Sequence, residues 1–197
     1  MIAVVDSGVA NLASVMAALQ RLGVEAEVTA DARKIREAER VILPGVGSAD
    51  AAMAQLQAKN LVDILRALTR PVLGICLGMQ LLYANSEEGG GVGGLGVLPG
   101  TVKLFTSAPD RPVPHMGWNQ LALRSPQHPL LQGVDDGSFV YFVHSYAAPA
   151  ADTALATTDY GEAFTSIVGH GNFYGCQFHP ERSSKVGGRI LQNFMGI

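Results

Sequence analysis

The stretch Val72-Leu73-Gly74-Ile75-Cys76-Leu77-Gly78-Met79-Gln80 contains an apolar strand followed by a turn around a single cysteine. An uninterrupted apolar run such as Val72–Ile75 is typical of a strand buried on both faces of a parallel sheet. Gly74-Ile75-Cys76-Leu77-Gly78 has the Gly-x-nucleophile-x-Gly spacing of a nucleophile elbow, with cysteine in place of serine. We predict that the turn presents the Cys76 sulfur at the start of a helix from about Gly78 to Asn85, whose dipole favours the thiolate.

The sequence before this stretch alternates short apolar strands with helical patterns. We predict strands over Ile2–Val5, Ala26–Thr29 and Val41–Leu43, with a helix over Asn11–Leu22 and further helical patterns before Val72. Such alternation indicates a parallel sheet that is covered by helices on both faces.

The sequence after this stretch has a different character, because strand-like segments follow one another with few helices between them. These segments are Thr101–Phe105, Trp118–Leu123, Phe139–Tyr146, Ile167–Val168 and Phe173–Phe178. The spacing of Val186, Ile190, Leu191 and Phe194 predicts a closing helix. We therefore predict one α/β domain over residues 1–197, with a mostly parallel twisted sheet, helices on both faces and antiparallel additions in the second half.

A second motif, Phe178-His179-Pro180-Glu181, stands at the end of the last predicted strand. A cysteine nucleophile needs a base, and the base needs an orienting group. Because the carboxyl ends of parallel strands meet at one edge of an open α/β sheet, we predict that Cys76, His179 and Glu181 form a triad there. A buried structural cysteine and a structural histidine are the competing interpretations.

The third element is the loop Pro44-Gly45-Val46-Gly47, which directly follows a predicted strand. Glycines on both sides of Val46 leave the neighbouring peptide planes free to rotate and their N–H groups accessible. Beside a nucleophile elbow such a loop serves as an oxyanion hole, and we assign Val46, Gly47 and Leu77 to it. An ordinary strand-to-helix turn is the alternative.

The composition excludes other classes of function. The 197 residues carry 14 basic and 17 acidic side chains, which gives a formal net charge of −3. Neither nucleic acid nor a membrane is therefore an expected partner. With 48% apolar residues the chain is expected to fold, and two cysteines do not build a disulfide framework. We see no targeting or membrane-spanning segment and expect a cytoplasmic protein.

No cofactor or metal is expected. Gly91-Val92-Gly93-Gly94-Leu95-Gly96 matches a dinucleotide-binding fingerprint as a string, but it neither follows a predicted strand nor opens a helix, so we interpret it as a loop. The cysteines and the candidate histidines lack the close spacing of metal ligands. Cys176 is most simply a core residue of its strand.

Together these elements resemble the class I (triad) glutamine amidotransferases, and the resemblance covers essentially the whole chain. The elbow with Gln80 and the His179-Pro180-Glu181 motif carry the family resemblance. Other strings resemble the members that act in histidine biosynthesis. They are Pro44-Gly45-Val46-Gly47, Pro114-His115-Met116-Gly117-Trp118-Asn119, Tyr141-Phe142-Val143-His144-Ser145-Tyr146 and the segment 175–185.

This resemblance implies a role for each candidate residue. Cys76 is expected to attack the side-chain amide of glutamine, His179 to carry the proton to the departing ammonia, and Glu181 to orient His179. The residues expected to bind the substrate glutamine are Gln80, Glu88, Ser145 and Tyr146.

The resemblance also implies a heterodimer in which ammonia passes to a (β/α)8-barrel cyclase subunit. The residues expected to face this partner are Trp118, Asn119, Tyr141 and Arg182. Position 182 is arginine where the family usually has lysine. This substitution preserves the charge, but a guanidinium has a different geometry from an ammonium group.

Three other functions remain open. The chain is alternatively the glutaminase subunit of another amidotransferase, a stand-alone thiol hydrolase acting on γ-glutamyl peptides, or a catalytically silent binding subunit. A barrel partner that co-purifies in one-to-one ratio would distinguish a glutaminase subunit that supplies a cyclase from the stand-alone hydrolase. The intact set of Cys76, His179 and Glu181 argues against a silent subunit.

Overall fold

The structure is a computed structural model that describes residues 1–8 and 11–197. Five neighbouring parallel strands form most of its main sheet: β1 (Ile2–Val5), β2 (Ala26–Thr29), β3 (Arg40–Gly45), β4 (Val72–Cys76) and β14 (Phe173–Cys176). Three antiparallel strands extend it on one side: β9 (Ala122–Leu123), β12 (Ala154–Asp159) and β13 (Ala163–His170). The strand order is β2-β1-β3-β4-β14-β13-β12-β9, which confirms the predicted fold class.

Helices cover both faces of this sheet. On one face lie α1 (Leu12–Arg21) and α6 (Ser184–Phe194); on the other lie α2 (Ala32–Glu37), α3 (Ala49–Ala58) and α4 (Val62–Arg66). Successive residues of β1 point to opposite faces, so Val4 joins the first core and Val5 the second. The strands are therefore apolar throughout, as the sequence indicates.

Two smaller sheets lie beside the main one. The strands β5 (Tyr83–Ser86), β6 (Val92–Gly93), β7 (Leu98–Leu104) and β11 (Tyr146–Ala147) form a sheet in the order β11-β7-β5-β6. The strands β8 (His115–Gln120) and β10 (Phe139–His144) form an antiparallel pair. Short 3₁₀ helices occupy Glu88–Gly90, Pro129–Leu131 and Pro180–Arg182.

The predicted helix over Gly78–Asn85 is wrong. Helix α5 spans only Leu77–Gln80, and the chain then enters β5. The glycine-rich segment that follows folds back onto it, because Leu95 N donates to Leu81 O at 2.7 Å and Gly94 N to Ala84 O at 2.9 Å. These contacts between distant residues override the local helical pattern.

Other boundaries also differ from the sequence prediction. Strand β3 continues through Pro44 and Gly45, since both residues pair with β4 in a parallel ladder. The elements α2, β6 and β12 have no counterpart among the predicted segments, and β6 lies within the glycine-rich segment that the sequence indicated as a loop. Within the described residues, no helix combines the length and apolar character needed to cross a bilayer.

Candidate active site

Strand β4 ends in a strained turn at Cys76. This residue has φ 53° and ψ −112°, a conformation that side-chain-bearing residues seldom adopt and that concentrates at functional sites. The flanking glycines make the turn possible. A Cβ on Gly74 would lie 2.6 Å from Gly78 O, and a Cβ on Gly78 would lie 1.7 Å from Leu43 O. The elbow spacing is therefore a steric requirement of this fold.

Three adjacent parallel strands deliver the candidate residues to one edge of the sheet. Gly45 at the end of β3 lies opposite Cys76 at the end of β4, and Cys176 at the end of β14 lies opposite Ile75. His179 follows β14 by three residues. Its side chain lines the same cavity as that of Cys76.

His179 and Glu181 form a buried pair. The ring Nδ1 lies 2.8 Å from Glu181 Oε1, and the side chains are 8% and 1% exposed. Burial by itself disfavours the charged ring, but hydrogen bonds and charge from Cys76 and Glu181 outweigh it and raise the pKa of His179 to about 10. The hydrogen bond to Glu181 therefore favours the protonated imidazole.

A cavity of about 290 Å³ opens at this edge. Nine of the residues proposed from sequence line it: Val46, Gly47, Cys76, Leu77, Gln80, Glu88, Ser145, Tyr146 and His179. Glu181 lies behind His179 and does not line the cavity. The structure therefore brings together all candidate residues other than those expected at the partner.

The candidate oxyanion loop stands at the mouth of this cavity. Val46 is 38% exposed, and Gly47 has φ +90°, which favours glycine. Leu77 is the first residue of α5, and the first N–H groups of a helix have no partner within the helix. Leu77 directly follows Cys76 in the chain, and Val46 and Gly47 line the same cavity.

Glu88 is anchored at the cavity wall. Its Oε2 accepts a hydrogen bond from Ala49 N, the first residue of α3, at 2.7 Å. Burial raises the pKa of this carboxyl, the Ala49 N–H lowers it, and the charge of Asp50 raises it further, with a net upward shift. A cation bound beside Glu88 would offset the desolvation of the charged carboxylate.

Gln80 is engaged from within the protein. Its Nε2 donates to Tyr146 O at 2.8 Å and to Gln177 Oε1 at 3.0 Å. One amide hydrogen therefore holds the cavity wall at Tyr146, and the other is bound by the buried Gln177 side chain. A direct contact between Gln80 and substrate stays a prediction.

The residues expected at a partner subunit lie on β8, β10 and the turn after β14. Trp118 is 52% exposed and packs edge-on against Tyr141 at 6.0 Å between ring centroids. Arg182 is exposed, and Asn119 is half-buried. Met116 and Phe139, which are 63% and 53% exposed, add to the same two strands and were not singled out from sequence.

Sequence reasoning also missed several residues around the sulfur. Val143 O and Gln177 Nε2 each lie 3.9 Å from Cys76 Sγ. His144 and Pro114 complete the cavity lining. All four residues lie in the sequence segments that carry the family resemblance. Their positions at the site depend on contacts between residues far apart in the chain, which periodicity does not reveal.

The described residues include no group of three His, Cys, Asp or Glu side chains placed to hold a metal ion. The sheet edge instead combines a cysteine elbow, a histidine–carboxylate pair and adjacent backbone donors. This is the arrangement of a thiol-dependent acyl-transfer site.

The family comparison agrees with this arrangement. The family model "Glutamine amidotransferase class-I" matches residues 3–196. The chain belongs to the class-I glutamine amidotransferases.

Curated relatives and solved structures give further detail. The imidazole glycerol phosphate synthase subunit HisH of Xylella fastidiosa is 55% identical over 195 residues, covering 98% of this chain and 96% of the relative. The protein of the same name from Shewanella oneidensis is 49% identical, with 98% and 95% covered. The structure of PurLQS from Thermotoga maritima superposes with a TM-score of 0.71 at 20% identity, covering 99% of this chain and 97% of that one, which shows the shared fold.

Proposed function

We propose that this chain is the glutaminase subunit of an imidazole glycerol phosphate synthase, formed by a single glutamine amidotransferase domain over residues 1–197. It hydrolyses glutamine to glutamate and ammonia and delivers the ammonia to a (β/α)8-barrel cyclase subunit. That subunit would make imidazole glycerol phosphate and an aminoimidazole carboxamide ribotide for histidine biosynthesis. The observation that carries the proposal is the meeting of Cys76, the Val46 loop and His179, which is backed by Glu181, at one cavity in a chain about 50% identical to HisH proteins.

The first chemical step forms a thioester. The Cys76 sulfur attacks the side-chain carbonyl carbon of glutamine and forms an S–C bond. The His179 imidazolium gives its proton to the amide nitrogen, and the C–N bond breaks to release ammonia. Glu181 holds Nδ1 of the ring at 2.8 Å and so directs Nε2 to the reacting atoms.

The second step hydrolyses the thioester. The neutral His179 takes a proton from water, the resulting hydroxide adds to the carbonyl carbon, and the C–S bond breaks to give glutamate and free Cys76. In both steps the carbonyl oxygen becomes negative. The N–H groups of Val46, Gly47 and Leu77 are the candidate donors, and the loss of one such donor typically costs about 10²–10³ in rate.

The cavity lining supports glutamine as the substrate. The Glu88 carboxylate would form an ion pair with the α-ammonium group. This pairing would offset the desolvation that raises the pKa of Glu88. The backbone of Ser145 and Tyr146 forms the facing wall. Gln80 acts on the substrate through that wall, because its amide holds Tyr146 O.

An exposed apolar surface supports a partner subunit. Met116, Trp118 and Phe139 are each more than half exposed on β8 and β10. Strand register connects this surface to the cavity, since Met116 pairs with Val143, whose carbonyl faces Cys76. A partner seated here would lie directly over the site where ammonia is released. A cytoplasmic location stays a prediction.

Complementation and co-purification test the proposal. The gene is expressed in a histidine auxotroph that lacks its own glutaminase subunit, with Cys76→Ala as the control. We expect growth with the wild type only, and a barrel subunit recovered with the tagged chain in one-to-one ratio. Glutamine hydrolysis at full rate by the chain alone, without complementation, would instead favour the stand-alone hydrolase.

A further inference from the structure

Two buried histidines lie between the exposed surface of β8 and the active-site cavity. His115 and His144 are paired across β8 and β10, and His115 Nδ1 lies 3.0 Å from His144 Nε2. The two residues are 3% and 6% exposed. Neither has a role in the chemistry proposed above.

The partners of this pair fix its hydrogens. His144 Nδ1 lies 2.8 Å from Tyr146 O, which only accepts, so Nδ1 carries the hydrogen. In a neutral ring the other nitrogen is then unprotonated, so His144 Nε2 accepts a hydrogen bond from His115 Nδ1–H. His115 Nε2 is bare in turn and faces the Asn119 Nδ2 donor at 3.3 Å. Every hydrogen bond therefore points the same way, from Asn119 towards Tyr146.

The surroundings keep both rings neutral. His115 stacks on Phe142 and Tyr160, with centroids at 4.8 and 4.1 Å, and His144 packs against Phe105 and Phe164 at 5.2 and 5.1 Å. Burial among these rings lowers the pKa of His115 to about 4 and is the largest cause that lowers the pKa of His144 to about 3. At neutral pH each ring has one hydrogen to donate.

The last hydrogen bond of this series, from His144 to Tyr146 O, holds the cavity wall. Tyr146 O accepts from His144 Nδ1 and from Gln80 Nε2, both at 2.8 Å. The preceding carbonyl, Ser145 O, accepts from Phe105 N at 3.0 Å. The Ser145–Tyr146 segment is thus fixed from behind, with both carbonyls engaged by the protein.

The outer end lies in the strand that carries Trp118. The Asn119 side chain is itself fixed, because its Nδ2 also donates to Asp159 O at 2.9 Å and its Oδ1 accepts from Gln120 N at 2.8 Å. These two contacts determine which end of the amide faces His115. A displacement of β8 would therefore act on the whole series.

We propose that Asn119, His115 and His144 form a one-directional hydrogen-bond relay that positions the Ser145–Tyr146 wall for glutamine and ties it to strand β8. All three are positioning residues, since both ring nitrogens of His144, which borders the cavity, are engaged within the relay. Its part in glutamine binding rests on the proposed function, whereas its hydrogen positions do not. A purely structural pair would affect stability without affecting binding at the cavity.

Nitrogen NMR on the full chain tests the hydrogen positions independently of activity. With ¹⁵N-labelled histidine at pH 7, we expect His115 and His144 to be neutral with the hydrogen on Nδ1 and a bare Nε2. The variants His115→Phe and His144→Phe assign the two signals among the five histidines. A hydrogen on Nε2 of either ring, or a doubly protonated ring, would overturn the relay.

Labelling of the Cys76 thiol tests the role in binding. A glutamine-analogue chloroketone reports on the pocket, and iodoacetamide reports on the thiol alone. For His144→Phe we expect the half-saturating chloroketone concentration to rise about tenfold, because the Tyr146 carbonyl loses one of its two donors, with a much smaller change in the iodoacetamide rate. His144→Asn places an amide N–H near the original Nδ1 and is expected to restore most of the binding.

Two further outcomes distinguish failure of the proposed function from instability of a variant. If the wild type shows no saturable preference for the chloroketone, the proposed function fails, while the NMR result still decides the hydrogen positions. If His144→Phe is too unstable to label, His115→Phe and Asn119→Ala break the relay further from the wall and should give smaller increases in the same direction. Lower melting temperatures with unchanged half-saturation in these variants would show a purely structural role and contradict the proposal.

Discussion

His179 N donates a hydrogen bond to Tyr141 O at 3.0 Å, so the proposed catalytic histidine is joined through the backbone to strand β10. Ser183 completes the connection: its Oγ accepts from Tyr141 N at 2.9 Å and donates to His179 O at 2.7 Å. Tyr141 in turn packs against Trp118. Tyr141 therefore contacts both Trp118, on the surface proposed to bind a partner, and His179 of the proposed triad.

Ser183→Ala tests this connection. The substitution leaves the Tyr141 N–H without its acceptor at a position where Ser183 is fully buried, while His179 O keeps the N–H of Arg182 at 3.0 Å. An unsatisfied buried group costs about 1–3 kcal/mol, so we expect that loss of unfolding free energy and a lower glutaminase rate. Denaturant unfolding and steady-state kinetics measure the two effects. An unchanged rate in a destabilised variant would confine Ser183 to folding.

Trp118→Ala tests the proposed partner surface. Large aromatic residues dominate the binding energy of many interfaces, so we expect partner affinity to fall by about 2 kcal/mol, about thirtyfold in Kd. The melting temperature of the isolated chain should change little, because Trp118 is 52% exposed. Leu104→Ala is the matched control, since Leu104 is 51% exposed on a different sheet. A large drop in melting temperature with intact partner binding would show that Trp118 is a core residue.

Much of this site was predictable because its signals are local. The glycines around Cys76 mark the elbow, and their spacing reflects contacts with Gly78 O and Leu43 O that admit no Cβ. Pro180 and Glu181 directly follow His179, so one short motif specifies both the turn after β14, which ends at Cys176, two residues before the predicted end at Phe178, and the candidate orienting carboxylate.

The remainder depends on pairing between distant residues. The segment after Gln80 has a helical pattern, yet it becomes β5 because β7 pairs with it. The His115–His144 pair depends on the register of β8 and β10, which are separated by 18 residues of chain. Neither periodicity nor motif spacing contains that information.

The pH dependence of stability tests the charge on His179. Its pKa is raised to about 10, above the 6.5 of an unperturbed histidine, so its contribution to stability is full below pH 6.5 and is lost as the pH rises to about 10. We expect the stability difference between wild type and His179→Gln to shrink across that window. Urea unfolding at pH 6, 8 and 10 measures it, with His170→Gln on the exposed end of β13 as control. A difference that grows with pH would contradict the assignment.

The loop Gly45–Gly47 predicts a dependence of activity on the partner. Rotation of the peptide planes beside Val46 exchanges an N–H for a carbonyl near Cys76, and one lost donor costs about 10²–10³ in rate. We expect very low glutaminase activity in the isolated chain and an increase of orders of magnitude with the partner and its ligand, provided these favour one loop state. Steady-state assays of the three samples measure this, and full activity in the isolated chain would contradict it.

The central claim is that Cys76 produces ammonia for a reaction on another subunit. The most direct measurement is product formation by the purified complex of chain and cyclase, with either glutamine or an ammonium salt as the nitrogen source. For Cys76→Ala we predict that glutamine-dependent synthesis is abolished and ammonia-dependent synthesis is retained, whereas Cys176→Ala, at a fully buried position, keeps both. Glutamine-dependent synthesis that survives Cys76→Ala would contradict the account.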